Sequence, residues 1–125
     1  MAFPQLSLSG RTAVVVGGTT GIGRALSLGL AQAGADVVAT SRRAEEVEKV
    51  SAEIETLGRK TLRATTDVLQ RPSLEALRAR VLETFGKVDV LVNCAGRTKR
   101  TPTLDLPDDE WSGIMETNVT GTLKA

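Results

Sequence analysis

Short β-rich runs alternate with longer helical segments along this chain: "TAVVVG", Gly23 to Ala33, "ADVVATS", Ala44 to Leu57, "KTLRATTD", Pro72 to Phe85, "VDVLVN", and a last helical stretch from about Pro107. Strands separated by helices long enough to cross back over a sheet are the pattern of parallel β structure with helices on its faces. The helical segments carry one apolar stripe each. Val47, Val50, Ile54 and Leu57 recur at three- and four-residue spacing, and Leu74, Leu77, Val81 and Phe85 do much the same. Gly34, Gly58 and Gly86 stand just past helical patterns, where a left-handed residue closes a helix, and Pro72 sits where a helix starts without losing a hydrogen bond. An α/β fold with a doubly wound parallel sheet is therefore expected. Residues 1–125 read as one unit, since no repeat, low-complexity tract or linker interrupts them.

The stretch "VVVGGTTGIGRAL", Val14 to Leu26, places a glycine-rich loop between the first strand and the first helix. That arrangement gathers free backbone N–H groups and the positive end of a helix dipole at one point, which suits an anion such as phosphate; a tight turn is the alternative. The loop departs from the nucleoside triphosphatase pattern, because Arg24 and Ala25 follow its last glycine, and from GxGxxG, because Leu26 takes the third glycine position. A side chain at Gly17 or Gly23 is expected to block a pyrophosphate without touching the core.

A dinucleotide fold presents an acidic side chain to the adenosine ribose near the end of its second strand, or a basic one to a 2′-phosphate. Here the chain reads "ATSRRAEE": Ser41 stands in the acid's place, followed by Arg42 and Arg43. A guanidinium meets a phosphate through two parallel hydrogen bonds, so these residues favour NADP(H) over NAD(H). Alternatively the two arginines only begin a solvated helix.

With glycines at GxxxGxG spacing the chain resembles the short-chain dehydrogenase/reductase family, whose loop reads TGxxxGxG. Gly17, Thr19, Thr20, Gly21, Ile22 and Gly23 would form that loop, with Val16 in place of the leading threonine and Thr20 where some NADP-using members carry a basic residue. In "TTDV", Asp67 and Val68 match the family's adenine-binding pair, although Asp67 also suits a turn. "NCAG", Asn93 to Gly96, resembles the family's NNAG, with Cys94 for the second asparagine; Asn93 could tie neighbouring strands, while Ala95 and Gly96 let backbone lie against a cofactor. Asn118 in "METNVTGTL", followed by Gly121, resembles the catalytic asparagine that opens a helix so that a water joins a proton relay. Taken singly, an asparagine in a helix is more commonly a half-exposed polar residue.

The resemblance implies a Rossmann-like fold, incomplete here, with strand order 3-2-1-4 and flanking helices. It also implies hydride transfer between a nicotinamide and a small-molecule carbonyl or secondary alcohol, by a homo-oligomer, tetramer or dimer. Family members run to roughly twice this length, and their catalytic serine and Tyr-x-x-x-Lys pair come later than Ala125. This sequence contains no tyrosine, so the chain is expected to be a cofactor-binding part, truncated before that pair and inactive alone. The alternative is a non-catalytic NADP-binding or interaction module.

Composition narrows the partners. A formal net charge of +1 gives no general pull toward nucleic acid, and no apolar run suits a membrane. With no histidine and the single cysteine Cys94, no disulfide and no metal site is expected, and a cytoplasmic setting follows. The basic run Arg97 to Arg100 either flanks the site, where it would suit an anionic substrate, or forms a solvated loop.

Overall fold

β1 (Thr12–Val16) is buried along its whole length, at the centre of a parallel sheet in the order β2–β1–β3, with β2 at Asp36–Thr40 and β3 at Val90–Asn93. The computed structural model describes residues 3–125. Alternate residues of β1 feed different cores. Ala13 and Val15 pack with Val37, Ala39, Val50 and Ile54, whereas Val14 and Val16 pack with Val38, Leu74, Leu77 and Val81. A strand covered on both faces needs apolar residues at every position, which is why this run does not alternate. α1 (Gly21–Gln32) and α2 (Ala44–Thr56) contribute to the first core, and α3 (Arg71–Phe85) to the second, so the sheet is wound on both sides. The chain continues through α4 (Asp108–Met115), a π-helical turn at Glu116–Gly121 and a short α5 (Thr122–Lys124). Among the described residues no helix is long and apolar enough to cross a membrane.

The helices expected from periodicity are present, and Gly34, Gly58 and Gly86 have φ of +107°, +79° and +76° at or just beyond their ends. Two stripe residues are less buried than the rest. Leu57 is exposed just past the end of α2, and Phe85, the last residue of α3, is half-buried against the edge of the second core.

The run "KTLRATTD" differs from expectation, since it forms no strand. Val37 N–H donates to Lys60 O and Thr66 N–H to Ser41 O, bonds that share one parallel register, with Val37 opposite Thr61 and Ser41 opposite Thr65. Between them, the carbonyl of Ala64, which a continuing ladder would offer to Ser41 N–H, accepts instead from Thr40 Oγ1 at 2.6 Å. The segment thus lies beside β2 as an extended, unladdered edge. The expected 3-2-1-4 arrangement survives in space, with the fourth run as β3 and the third as that edge.

Asp89 ties the amino ends of β1 and β3 together: Oδ2 accepts Thr12 N–H at 2.8 Å and lies 3.0 Å from Lys87 Nζ. Its carboxyl is held below the usual range, first by the Thr12 N–H, then by the Lys87 ammonium. A carboxyl with a depressed folded-state value adds stability that is present above its unfolded value, about 4, and lost as pH falls through the folded value. Thermal unfolding of Asp89→Asn should therefore depend less on acid than that of the parent, with the two melting curves converging below about pH 4.

Candidate functional site

The carboxyl ends of the three strands open onto one cleft of about 570 Å³, whose walls are the glycine loop, the residues after β2, the turn at Asp67–Val68 and the chain after β3. In open parallel sheets this end, where connections leave in opposite directions, is where ligands bind.

The glycine loop is fixed by its neighbours. The N–H groups of Gly17 and Gly18 donate to Thr40 O at 2.9 and 3.2 Å, strapping the loop to the end of β2. Gly17 has φ +81°, and a Cβ there would lie 2.4 Å from Ala95 N. A Cβ on Gly23 would lie 1.9 Å from the carbonyl oxygen of Gly17. The hydroxyl of Ser27, fully buried, lies 3.0 Å from Gly18 O and 2.8 Å from Gly23 O. A side chain at Gly17 or Gly23 therefore collides with the protein's own backbone, contrary to the expectation that it would obstruct only a ligand. Gly21, at φ +53°, has open space around its Cβ position and lies outside the cleft lining.

At the adenosine end expected from sequence, Thr19, Thr20, Ser41, Arg42 and Arg43 line the cleft. So does Glu46, from the first turn of α2. Thr19 Oγ1 lies 2.8 Å from Ser41 Oγ and donates to Glu46 Oε2 at 3.1 Å, while Arg43 Nη1 lies 3.1 Å from Glu46 Oε1. Arg43 thus has an ion-pair partner, and the exposed Arg42 has none among the described residues. Sequence reading passed over Glu46 because it stands five residues after Ser41; only the turn from β2 into α2 brings it back to the loop.

Asp67 forms the turn that its residue type suits. Its Oδ1 accepts Leu69 N–H at 2.9 Å, forming a turn, and the residue lines the cleft beside Val68. Ala95, Gly96, Ile22 and Gly23 line it too. Asn93 does not: it pairs with Val16 through backbone, and its side chain is exposed. Among the described residues its amide makes no hydrogen bond that ties neighbouring strands, because it lies on the same face as the exposed Leu91, which no helix covers there.

Asn118 sits inside the π-helical turn, just outside the cleft lining. Its Oδ1 accepts Arg97 N–H at 2.8 Å and its Nδ2 donates to Arg97 O at 2.9 Å, clamping the chain that follows β3. π turns widen a helix by one residue and commonly occur at functional sites. The neighbouring Thr117 lines the cleft with a buried hydroxyl that has no hydrogen-bond partner, a position no sequence motif singled out. In the basic run, Arg97 lines the cleft, whereas Lys99 lies 3.6 Å from Glu110, which also accepts from Thr101 Oγ1. Among the described residues no group of three His, Cys, Asp or Glu is placed to hold a metal ion.

These features fit a dinucleotide. Side-chain-free backbone faces the helix start, two arginines and three hydroxyls lie at one end of the cleft, and a buried hydroxyl without a partner among the described residues lies on its wall. Fold and cleft together define a Rossmann-like α/β domain. The family model described as short chain dehydrogenase matches residues 11–125, and the chain belongs to that family, whose members use nicotinamide cofactors. It is 38% identical over 121 residues to 2-dehydro-3-deoxy-D-gluconate 5-dehydrogenase of Escherichia coli, covering 95% of this chain and 46% of that protein. It is 37% identical to gluconate 5-dehydrogenase of Gluconobacter oxydans, covering 95% of this chain and 47% of that protein. Among solved structures, a hydroxysteroid dehydrogenase from Escherichia coli superposes with a TM-score of 0.90 at 32% identity, covering 97% of this chain and 51% of that one. The chain thus spans about half the length of the relatives it matches.

Proposed function

We propose that this chain is the cofactor-binding part of an NADP(H)-dependent oxidoreductase acting between a nicotinamide and a small carbonyl compound or secondary alcohol. The observation that carries the proposal is the cleft itself. Gly17 and Gly23 leave backbone bare at the start of α1, while Arg42, without an ion-pair partner among the described residues, lines the same cleft just after β2, where a 2′-phosphate would be met. When bound, the nicotinamide supplies or accepts the hydride.

The protein's own residues divide the remaining tasks. Gly17 to Gly23 and the start of α1 receive the pyrophosphate; Ser41, Arg42 and Arg43 face the ribose 2′ position; Asp67 and Val68 border the adenine; Ala95 and Gly96 lie along the cofactor. Asn118 fixes the Arg97 backbone, and a part for it in a proton relay belongs to the same reading. Cys94, free on the cleft wall, suits a reducing cytoplasm. Assembly as a dimer or tetramer belongs to the same reading.

NADPH should bind more tightly than NADH. Arg42→Ala should weaken NADPH about ten-fold, by removing a charge-assisted contact, and leave NADH nearly unchanged. Titration of intrinsic or cofactor fluorescence measures both, and equal affinities in the parent protein would overturn the preference for NADP(H).

A further inference from the structure

The charge on Arg43 is already answered inside the protein. Glu46 holds it at 3.1 Å and takes the Thr19 hydroxyl with its other oxygen, so one carboxylate joins the glycine loop, the end of β2 and the start of α2. The Glu46 side chain is 27% exposed and lines the same cleft as Ser41 and Arg42, linked to Ser41 through the Thr19 hydroxyl. A carboxylate placed there opposes a bound 2′-phosphate and offers an acceptor to an unphosphorylated 2′-hydroxyl. In effect an acid missing from position 41 of the sequence is returned in space from position 46.

We propose that Glu46 is a specificity-determining residue of the adenosine end of the cleft, restraining the preference for the 2′-phosphorylated cofactor by pairing with Arg43 and repelling the phosphate. This rests on the assignment of the cleft to a nicotinamide dinucleotide. Neutralising Glu46 releases Arg43 toward the phosphate and removes the like charge; both changes act in one direction. Its removal leaves Thr19 bonded to Ser41, so the loop keeps a link to the end of β2.

Calorimetric binding of 2′,5′-ADP and of AMP to the 125-residue chain tests this without any turnover. The affinity ratio of 2′,5′-ADP to AMP should rise at least five-fold in Glu46→Gln and stay within two-fold of the parent in Glu46→Asp, which retains the charge. Glu46→Ala provides a second arm: it removes the carboxylate by a different replacement, and the ratio should rise by the same factor. An unchanged ratio in Glu46→Gln, or in Glu46→Ala should Glu46→Gln not fold, would overturn the role of Glu46. The parent protein reports separately on the cofactor assignment, because a parent that binds AMP as tightly as 2′,5′-ADP contradicts the NADP(H) preference whatever Glu46 does.

Discussion

Gly23→Val should abolish NADPH binding and lower the melting temperature in the same protein. The two losses have one cause. A Cβ at this position would sit 1.9 Å from the Gly17 carbonyl, far inside contact distance, so the loop must move away from α1. That movement carries Gly17 with it, and Gly17 is already pressed against Ala95 N at the end of β3. The buried Ser27 hydroxyl would lose its contacts with Gly18 O and Gly23 O, leaving a polar group unsatisfied in the interior at about 1–3 kcal/mol. Gly17→Val should behave alike. Gly21→Ala is the control: the space around it is open and only its φ of +53° is unfavourable, a strain of about 1 kcal/mol, so it should bind with a modestly raised Kd. Cofactor fluorescence together with thermal melting separates the cases. A Gly23→Val protein that melts normally and binds normally would reduce the loop to an ordinary turn.

The 125-residue chain should bind NADPH and fail to oxidise it with any carbonyl substrate. Reduction of a carbonyl needs a proton as well as a hydride, delivered by a group whose pKa lies near working pH. The sequence offers neither tyrosine nor histidine, and Asn118, clamped on the Arg97 backbone, carries no ionisable proton. The same chain should self-associate at micromolar concentration. β3 ends the sheet with Val88 and Leu91 exposed beside it, and Trp111, Met115, Val119 and Leu123 are exposed at four-residue spacing from α4 to α5. Unpaired strand edges and apolar helix faces of this kind are templates for association. NADPH absorbance and sedimentation velocity on one sample read both outcomes; a monodisperse monomer that turns over would contradict both.

Residues whose role depends on local backbone were legible in the sequence. Gly34, Gly58 and Gly86 close helices because turn geometry acts over a few residues, and the stripes of α2 and α3 were read correctly through Val47, Val50 and Ile54, and through Leu74, Leu77 and Val81. Features set by what lies opposite in space were less so. Thr61 to Thr66 carry good strand formers, yet Thr40 diverts a ladder carbonyl with its side chain, which no property of the run itself announces. Glu46 reaches the cleft only through the β2–α2 turn, and the exposure of Asn93 follows from the uncovered face that it shares with Leu91.

The central place of β1 also fixes an order of assembly. Thr12 pairs with Asp36, whereas Ala13 pairs with Val90, across a loop about threefold longer. Each doubling of loop length costs about 0.6 kcal/mol of closure entropy, so closing β1 onto β2 is cheaper by about 1 kcal/mol, and β3 is expected to join after that unit. Cys94 to Arg97, which follow β3, complete the cleft wall only at that late step. The glycine loop is therefore expected in place before the wall that faces it across the cleft, and ligand capture would report the docking of β3.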